Sequence, residues 1–191
     1  MKPVQRSEIL ELGEYEEVRE RFRRRVIELK RLRRVALGAN FTVLFENRDT
    51  VLYQIQEMIR TERITREDAI LHEIETYNEL LPGKDELSAT IFIEFPERNE
   101  RERMLAALAG IEGKFYLDVE GRRIVVRNET RATLPDRTTA VHYVKYPLGA
   151  EAAAALRTVK ATAVLGVDHP AYRAESILVR RTLEELAQDL V

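Results

Sequence analysis

Cysteine is absent from this 191-residue chain. Its absence excludes thiolate metal sites, iron–sulfur ligation, cysteine nucleophiles and thiol redox chemistry within the chain. No apolar run approaches the ~20 residues that a membrane helix needs. The first residues, MKPVQRSEILELGEYEEV, also lack the apolar core of a secretory signal. From these absences we expect a cytoplasmic protein that makes no membrane contact.

Several catalytic and nucleotide-binding motifs are missing as well. The sequence contains no GxGxxG run, no Walker-type phosphate loop and no GxSxG elbow, which disfavours nucleotide binding, NAD chemistry and α/β-hydrolase activity. The formal net charge of −2 creates no global attraction for nucleic acid or acidic membranes. Nucleic acid is therefore not an expected partner.

Helical and strand patterns interleave along the chain. Tyr15, Val18, Phe22, Val26 and Leu29 recur at spacings of three and four, which predicts an amphipathic helix. Several hairpins separate the helices, so the pattern favours an α+β fold with a mixed, mainly antiparallel sheet, packed helices and a helical N-terminal portion. We expect a single α+β domain over residues 1–191, in which 1–83 is a helix-rich part with a hairpin and 84–191 is sheet-rich.

Local signals place the elements within this pattern. Ser7 and Thr65 are predicted helix N-caps, because each is a short hydroxyl residue at the start of a periodic run. Two hairpins are predicted, one around residues 38–40 and one around residues 120–121, because glycine follows a β-rich run at both places. A second helix is expected from Asp49 to about residue 63.

The second helix carries a polar face that is a candidate ligand or partner surface. Tyr53, Gln56, Glu57 and Arg60 fall at spacings of three and four, with Glu62 close behind, so they share a face opposite Ile55 and Ile59. A phenol, an amide, an acid and a guanidinium on one rigid face can bind a polar ligand or a protein. The alternative is a solvated face with a Gln56–Arg60 hydrogen bond and a Glu57–Arg60 ion pair.

The run GVDHPAY is the second candidate site. Asp168 and His169 follow an apolar strand, and Tyr172 lies just beyond; strand ends are where a rigid scaffold presents polar chemistry. His142 lies on another predicted strand, so His142, His169 and Asp168 are the candidate ligands of a divalent metal, with Glu57 or Glu62 as a further carboxylate. The alternatives are a satisfied core histidine for His142, and a turn shaped by Asp168 and Pro170 that needs no ligand.

Two other charged groups are weaker candidates. His72 lies on a predicted helix with Asp68 and Glu75 within one turn, but Thr76 occupies the place of the second histidine of an HExxH zinc site. A basic run from Arg19 to Arg34 surrounds the apolar stripe of the first helix. Its arginines are available either to acids elsewhere in the chain or to a negatively charged partner protein.

Five runs occur together in this order: RRVALGANFTVLFENRDTVLYQIQEMIRTERI, EIETYNELLPG, SATIFIEFP, AVHYVKYPL and GVDHPAY. Together they resemble an uncharacterised bacterial family, the domain-of-unknown-function family 3501, over nearly the whole chain. Members of that family are often encoded beside rubrerythrin-like di-iron proteins and iron–sulfur oxidoreductases, which implies partners of those classes and a role near peroxide defence or electron transfer. The positions that match the polar runs of the family are Tyr53, Gln54, Gln56, Glu57, Arg60, Glu62, His142, Asp168, His169 and Tyr172.

The leading functional expectation is an accessory or binding protein in a redox or oxidative-stress system. One alternative is a metal-dependent enzyme with a histidine/carboxylate site, and a second is a structural subunit of an oligomer. Each class makes a different demand on the fold. The enzyme needs the histidines side by side, whereas the accessory protein needs only an exposed surface.

Overall fold

The computed structural model describes residues 1–128 and 136–190 of the chain. Within these ranges the helices are α1 (Leu12–Arg33), α2 (Arg48–Thr61), α3 (Glu67–Asn78), α4 (Arg98–Ala107), α5 (Gly149–Arg157) and α6 (Arg180–Asp189). The strands are β1 (Arg34–Leu37), β2 (Phe41–Glu46), β3 (Glu86–Ile93), β4 (Phe115–Val119), β5 (Arg122–Val125), β6 (Arg127–Asn128), β7 (Val141–Pro147), β8 (Ala163–His169) and β9 (Tyr172–Ile177). The predicted α+β class is confirmed.

The described strands form two sheets in which every pairing is antiparallel. The first sheet has the order β1-β2-β3-β7-β6, and the second has the order β5-β4-β8-β9. A metal site built from His142 and His169 needs their strands to be close, but the chain leaves the first sheet after β7 and enters the second sheet with β8. Residues on β7 and β8 therefore belong to different sheets.

One apolar cluster joins the inner faces of both sheets. Phe41 from β2, Phe115 and Leu117 from β4, and Leu165 from β8 are all buried in it. Leu186 from α6 packs into the same cluster. Burial of apolar surface at this scale is the main term that stabilises a fold of this size.

A second apolar cluster lies on the opposite face of the first sheet. Ile55 from α2, Ile74 from α3 and Val4 from the N-terminal segment are buried there, with Tyr143 of β7 packed against them. The N-terminal segment, α2 and α3 thus form a helical layer over this face. The alternation of buried side chains along β7 is the reason that one strand serves both clusters.

Two predicted helix starts are wrong. Ser7 lies in a short 3-10 turn (Arg6–Glu8), and α1 begins only at Leu12. Thr65 does not cap α3, because the residue before that helix is Arg66 and its side chain makes no capping bond. The second helix begins at Arg48, since Asn47 accepts the backbone N–H of Thr50 and closes a capping box.

The two predicted hairpins are confirmed as β1–β2 and β4–β5. Gly38 adopts a positive φ of 71°, and Glu120 and Gly121 have φ of 52° and 80°. Two consecutive residues of positive φ are what a tight hairpin with right-handed strand twist needs, which is why the sequence signal was strong there. Among the described residues, no helix is both long and apolar enough to cross a membrane.

Candidate functional site

The polar face of α2 contacts the N-terminal segment of the chain. Gln56 is only 1% exposed. Its side-chain oxygen accepts the backbone N–H of Leu10 at 3.0 Å, and its Nε2 donates to the Leu10 carbonyl at 3.0 Å. Both halves of the amide are therefore used in fixing the segment that precedes α1.

The acid and the arginine of the same face bind α1. Glu57 accepts hydrogen bonds from the Tyr15 hydroxyl at 2.7 Å and from Arg19 Nε and Nη2 at 2.7 and 2.8 Å. The Arg19 guanidinium, followed by the Tyr15 hydroxyl, holds the pKa of Glu57 below its usual range, although partial burial opposes the shift. Arg60 donates to Glu16 at 2.6 Å, in place of the pairing with Gln56 or Glu57 that the sequence suggested.

Tyr53 completes this contact through its ring. Phe22 of α1 meets the ring edge-on with centroids 5.6 Å apart, and Lys30 Nζ lies 5.5 Å from the ring centroid. Glu62 is exposed just after α2. Most of the candidate α2 surface is therefore in contact with the α1 helix and the N-terminal segment of the same chain.

The GVDHPAY run forms the hairpin between β8 and β9. His169 points inward, where its Nε2 lies 3.2 Å from the Ala109 carbonyl and its Nδ1 accepts the Ala171 N–H at 3.2 Å. The neutral tautomer with a proton on Nε2 satisfies both contacts. Asp168 points outward and accepts from Arg173 Nε at 2.9 Å. Adjacent residues of a strand point to opposite faces, so Asp168 and His169 are not presented together.

Tyr172 joins the second sheet to the β1–β2 turn of the first. Its hydroxyl donates to the Leu37 carbonyl at 3.0 Å and accepts the Asn40 N–H at 3.2 Å. Its ring stacks on Phe41 with centroids 4.1 Å apart and a 3° interplanar angle. This arrangement gives Tyr172 a packing role within the fold.

His142 is fully buried in a polar chain inside the core. The Thr138 hydroxyl donates to Glu112 Oε1 at 2.8 Å and lies 3.1 Å from His142 Nε2. A hydroxyl has one proton, and Thr138 gives that proton to Glu112, so the Thr138 oxygen accepts from His142 Nε2–H. Among the described residues, His142 Nδ1 has no partner of hydrogen-bonding geometry. Burial lowers the pKa of His142, although Glu112 and the Thr139 backbone raise it.

This burial predicts a loss of stability in mild acid. Below the unfolded-state pKa of about 6.5, the unfolded chain takes up a proton that folded His142 resists, so stability falls as the pH falls. Replacing His142 by glutamine removes this contribution. Chemical denaturation at about pH 7.5 and 5.5 should show that wild type loses more stability than H142Q, by up to about 1.4 kcal/mol per pH unit.

The matched control for this prediction is the exposed His72 on α3. H72Q should retain the full acid sensitivity of wild type. Equal acid sensitivity of H142Q and wild type would contradict the assignment of the proton uptake to His142.

The metal hypothesis gains no support from these positions. His142 lies in the first sheet and His169 in the second, and both ring nitrogens of His169 contact backbone groups. In residues 1–128 and 136–190, no three His, Asp or Glu side chains come together in a way that could hold a metal ion. Asp68, near His72, pairs with Arg66. The metal-dependent enzyme remains an untested prediction.

Sequence reasoning missed a buried ion pair between α1 and α6. Arg33 is fully buried, and it donates to the carbonyls of Phe45 and Glu46 at 2.9 and 3.2 Å and to the Asp189 carboxylate. It lies seven residues after Val26, on the apolar stripe of α1. That spacing was the available signal, because a charged residue on a buried stripe needs an internal partner. A cleft of about 800 Å³ opens beside this pair.

The basic run is divided between internal contacts and free surface. Arg19 binds Glu57, Arg25 binds Asp49, and Arg33 is buried. Arg21 and Arg24 are exposed, and neither forms an ion pair with any other described residue. Ile27, which is 40% exposed, and exposed Arg31 lie on the same outer face of α1 as Arg24.

Comparisons with known proteins give a consistent result. A family model described as "Protein of unknown function (DUF3501)" matches residues 3–190. A crystal structure of a novel protein of unknown function from Burkholderia pseudomallei is 32% identical, covers 100% of both chains and superposes with a TM-score of 0.93. No curated protein matches the sequence. The fold and the ancestry are thereby shared with proteins whose descriptions state no activity.

Proposed function

We propose that this chain, which belongs to the DUF3501 family of proteins of unknown function, is a non-catalytic accessory protein. It binds another protein through the exposed face of α1. The redox or oxidative-stress setting is supported by the family resemblance, which implies partners among rubrerythrin-like di-iron proteins and iron–sulfur oxidoreductases.

The exposed face of α1 is the observation that carries this proposal. Ile27 is 40% exposed, and Arg24 and Arg31 lie three residues before it and four residues after it on the same helix face. An apolar side chain framed by arginines is a typical centre of a protein interface, because arginine anchors are enriched there. The uncompensated charge of Arg21 and Arg24 favours an acidic partner.

The candidate polar side chains Gln56, Glu57 and His169 are engaged within the chain. Gln56 and Glu57 fix the N-terminal segment and α1, and both ring nitrogens of His169 contact backbone groups. A general base must be able to reach a substrate proton, and these side chains instead hold neighbouring elements together. This arrangement supports binding over catalysis.

Affinity capture from the native host tests the proposal. We expect the wild-type protein to recover an identifiable redox protein, under oxidised and reduced conditions, and to lose it as the salt concentration rises. The double variant R21E/R24E should reduce recovery by at least about tenfold, because reversed charges repel an acidic surface.

The matched control reverses two exposed arginines on α4, Arg98 and Arg103. R98E/R103E changes the net charge by the same amount and should recover the partner as wild type does. Recovery of no redox protein by wild type under either condition would remove the support for this function.

A further inference from the structure

The helical layer leaves part of the first sheet uncovered. Leu44 on β2 is buried, and it pairs with Thr90, which in turn pairs with Tyr143, a residue packed against the helical layer. Thr42 lies two residues nearer the β1–β2 turn than Leu44 does. It pairs with Ala36 on one side and with Phe92 on the other, and Phe92 pairs with Val141. These four residues face the same side as Leu44 because side chains alternate along a strand. Ala36 is exposed and the other three are half-buried, so they form an open row across four strands.

A groove of about 450 Å³ lies between α1 and the end of this row that Ala36 and Thr42 form. The helix contributes residues from its last two turns, and the β1–β2 hairpin contributes the rest. The lining residues are Ile27, Lys30, Arg31, Arg34, Ala36 and Thr42. We refer to this feature as the α1/β1 groove.

The charge of the α1/β1 groove is positive and poorly compensated. Lys30, Arg31 and Arg34 line it, and its described lining contains no carboxylate. Neither Lys30 nor Arg34 forms an ion pair within residues 1–128 and 136–190, whereas Arg31 pairs with exposed Glu28 at 3.1 Å. An exposed pair of this kind neutralises little charge toward an incoming ligand.

Two details define the electrostatics of the groove more closely. Burial lowers the pKa of Lys30, and the like charge of Arg34 lowers it further, while Glu46 raises it. Glu94 lies at one edge, where it accepts the Thr42 hydroxyl at 2.6 Å. An anion bound beside Lys30 and Arg34 would therefore relieve repulsion that the free protein carries.

We infer that the α1/β1 groove binds an acidic amphipathic segment of the partner protein, an inference that rests on the proposed function. The apolar side chains of the segment pack on Ala36, Phe92 and Val141, and its carboxylates pair with Lys30 and Arg34. A helical segment fits best, because helices already cover the rest of this sheet face and one more helix completes the layer.

Fluorescence anisotropy with labelled peptides tests this inference on the full chain. The probe is a peptide of about 18 residues, or five helical turns, with leucines at helical spacing and glutamates on the flanks. One matched peptide replaces the glutamates by glutamine, and a second replaces the leucines by serine. We expect the acidic amphipathic probe to bind, and each matched peptide to bind at least about tenfold more weakly.

Two variants place the bound probe in the groove. R34E reverses a lining charge and A36E introduces a carboxylate onto the floor, and each should weaken probe binding by at least about tenfold. The control R98E alters an exposed arginine on α4 and should leave binding unchanged. Circular dichroism of every variant confirms that a loss of binding is not a loss of fold.

The results separate this inference from the proposed function. The groove assignment is wrong if the glutamine peptide binds as tightly as the acidic probe, or if R34E and A36E bind the probe as wild type does. It is also wrong if a labelled single-stranded oligonucleotide binds more tightly than the acidic probe. If the probe fails while native capture still yields a redox protein that depends on Arg21 and Arg24, the inference is wrong and the proposed function stands. If native capture fails as well, both are wrong.

Discussion

Replacing Arg33 by methionine is expected to lower the free energy of unfolding by about 3–5 kcal/mol. The guanidinium is fully buried and binds the carbonyls of Phe45 and Glu46 together with the carboxylate of Asp189. Methionine fills a similar length but donates no hydrogen bond, so these three acceptors lose their partner and a carboxylate stays buried without a cation.

The cost of R33M should depend on pH through Asp189. Burial raises the pKa of Asp189 to about 6, although Arg33 lowers it, and the loss of Arg33 raises this pKa further. Protonated Asp189 tolerates burial better than the carboxylate does. The folded variant thus holds its proton to a higher pH than the unfolded chain, and its stability declines as the pH rises. The measured loss is therefore expected to be larger at pH 8 than at pH 5.

Urea denaturation of three variants measures this prediction. R33M with D189L should be more stable than R33M alone, because the unpaired carboxylate is removed with its partner. Exposed Arg181 at the same cleft is the control, and R181M should change the stability by less than about 0.5 kcal/mol. A cost of R33M below about 1 kcal/mol would show that the ion pair between α1 and α6 contributes little.

Replacing Gln56 by leucine is expected to cost about 2–4 kcal/mol. The amide satisfies both the N–H and the carbonyl of Leu10, each at 3.0 Å, at a site that is 1% exposed. Leucine has similar volume and leaves the N–H and the carbonyl of Leu10 without their partner at a partly buried contact, which is more costly than the loss of an exposed hydrogen bond.

Denaturation of Q56L and hydrogen exchange at the Leu10 amide check this result together. The Leu10 amide should exchange faster in Q56L than in wild type, because its acceptor is gone. Gln188 on α6 is exposed and bonds the Glu184 carbonyl, so Q188L is expected to change stability by less than about 0.5 kcal/mol. A Q56L protein as stable as wild type would mean that the contact between Gln56 and Leu10 contributes little to the stability of the fold.

The polar face of α2 shows where sequence reasoning lost information. The spacing of Tyr53, Gln56, Glu57 and Arg60 correctly places them on one side of a helix. Spacing cannot say what that side meets, because a polar face turned to water and one bonded to another helix have the same period. Glu57 binds Tyr15 and Arg19, about 40 residues earlier in the chain.

The two histidines show a related limit. The sequence identified the strands that carry His142 and His169, and both strands exist. Their separation into two sheets is set by strand pairing, in which β8 pairs with β4 and β9 while β7 pairs with β3 and β6. Pairing of distant strands depends on the packing of whole faces, so no local motif encodes it.

Short-range patterns in the sequence predicted much of the secondary structure. The stripe of α1, the β1–β2 and β4–β5 hairpins and the α+β class follow from hydrophobic period and from glycine at positions of positive φ, and both are short-range properties. Which polar groups bond within the fold and which face outward depends on how distant elements pack together. Arg33, Gln56 and His142 are buried by contacts between elements far apart in the chain, whereas Arg24 and Arg34 remain exposed. The physical reason is that burial and charge compensation belong to surfaces built from several segments at once.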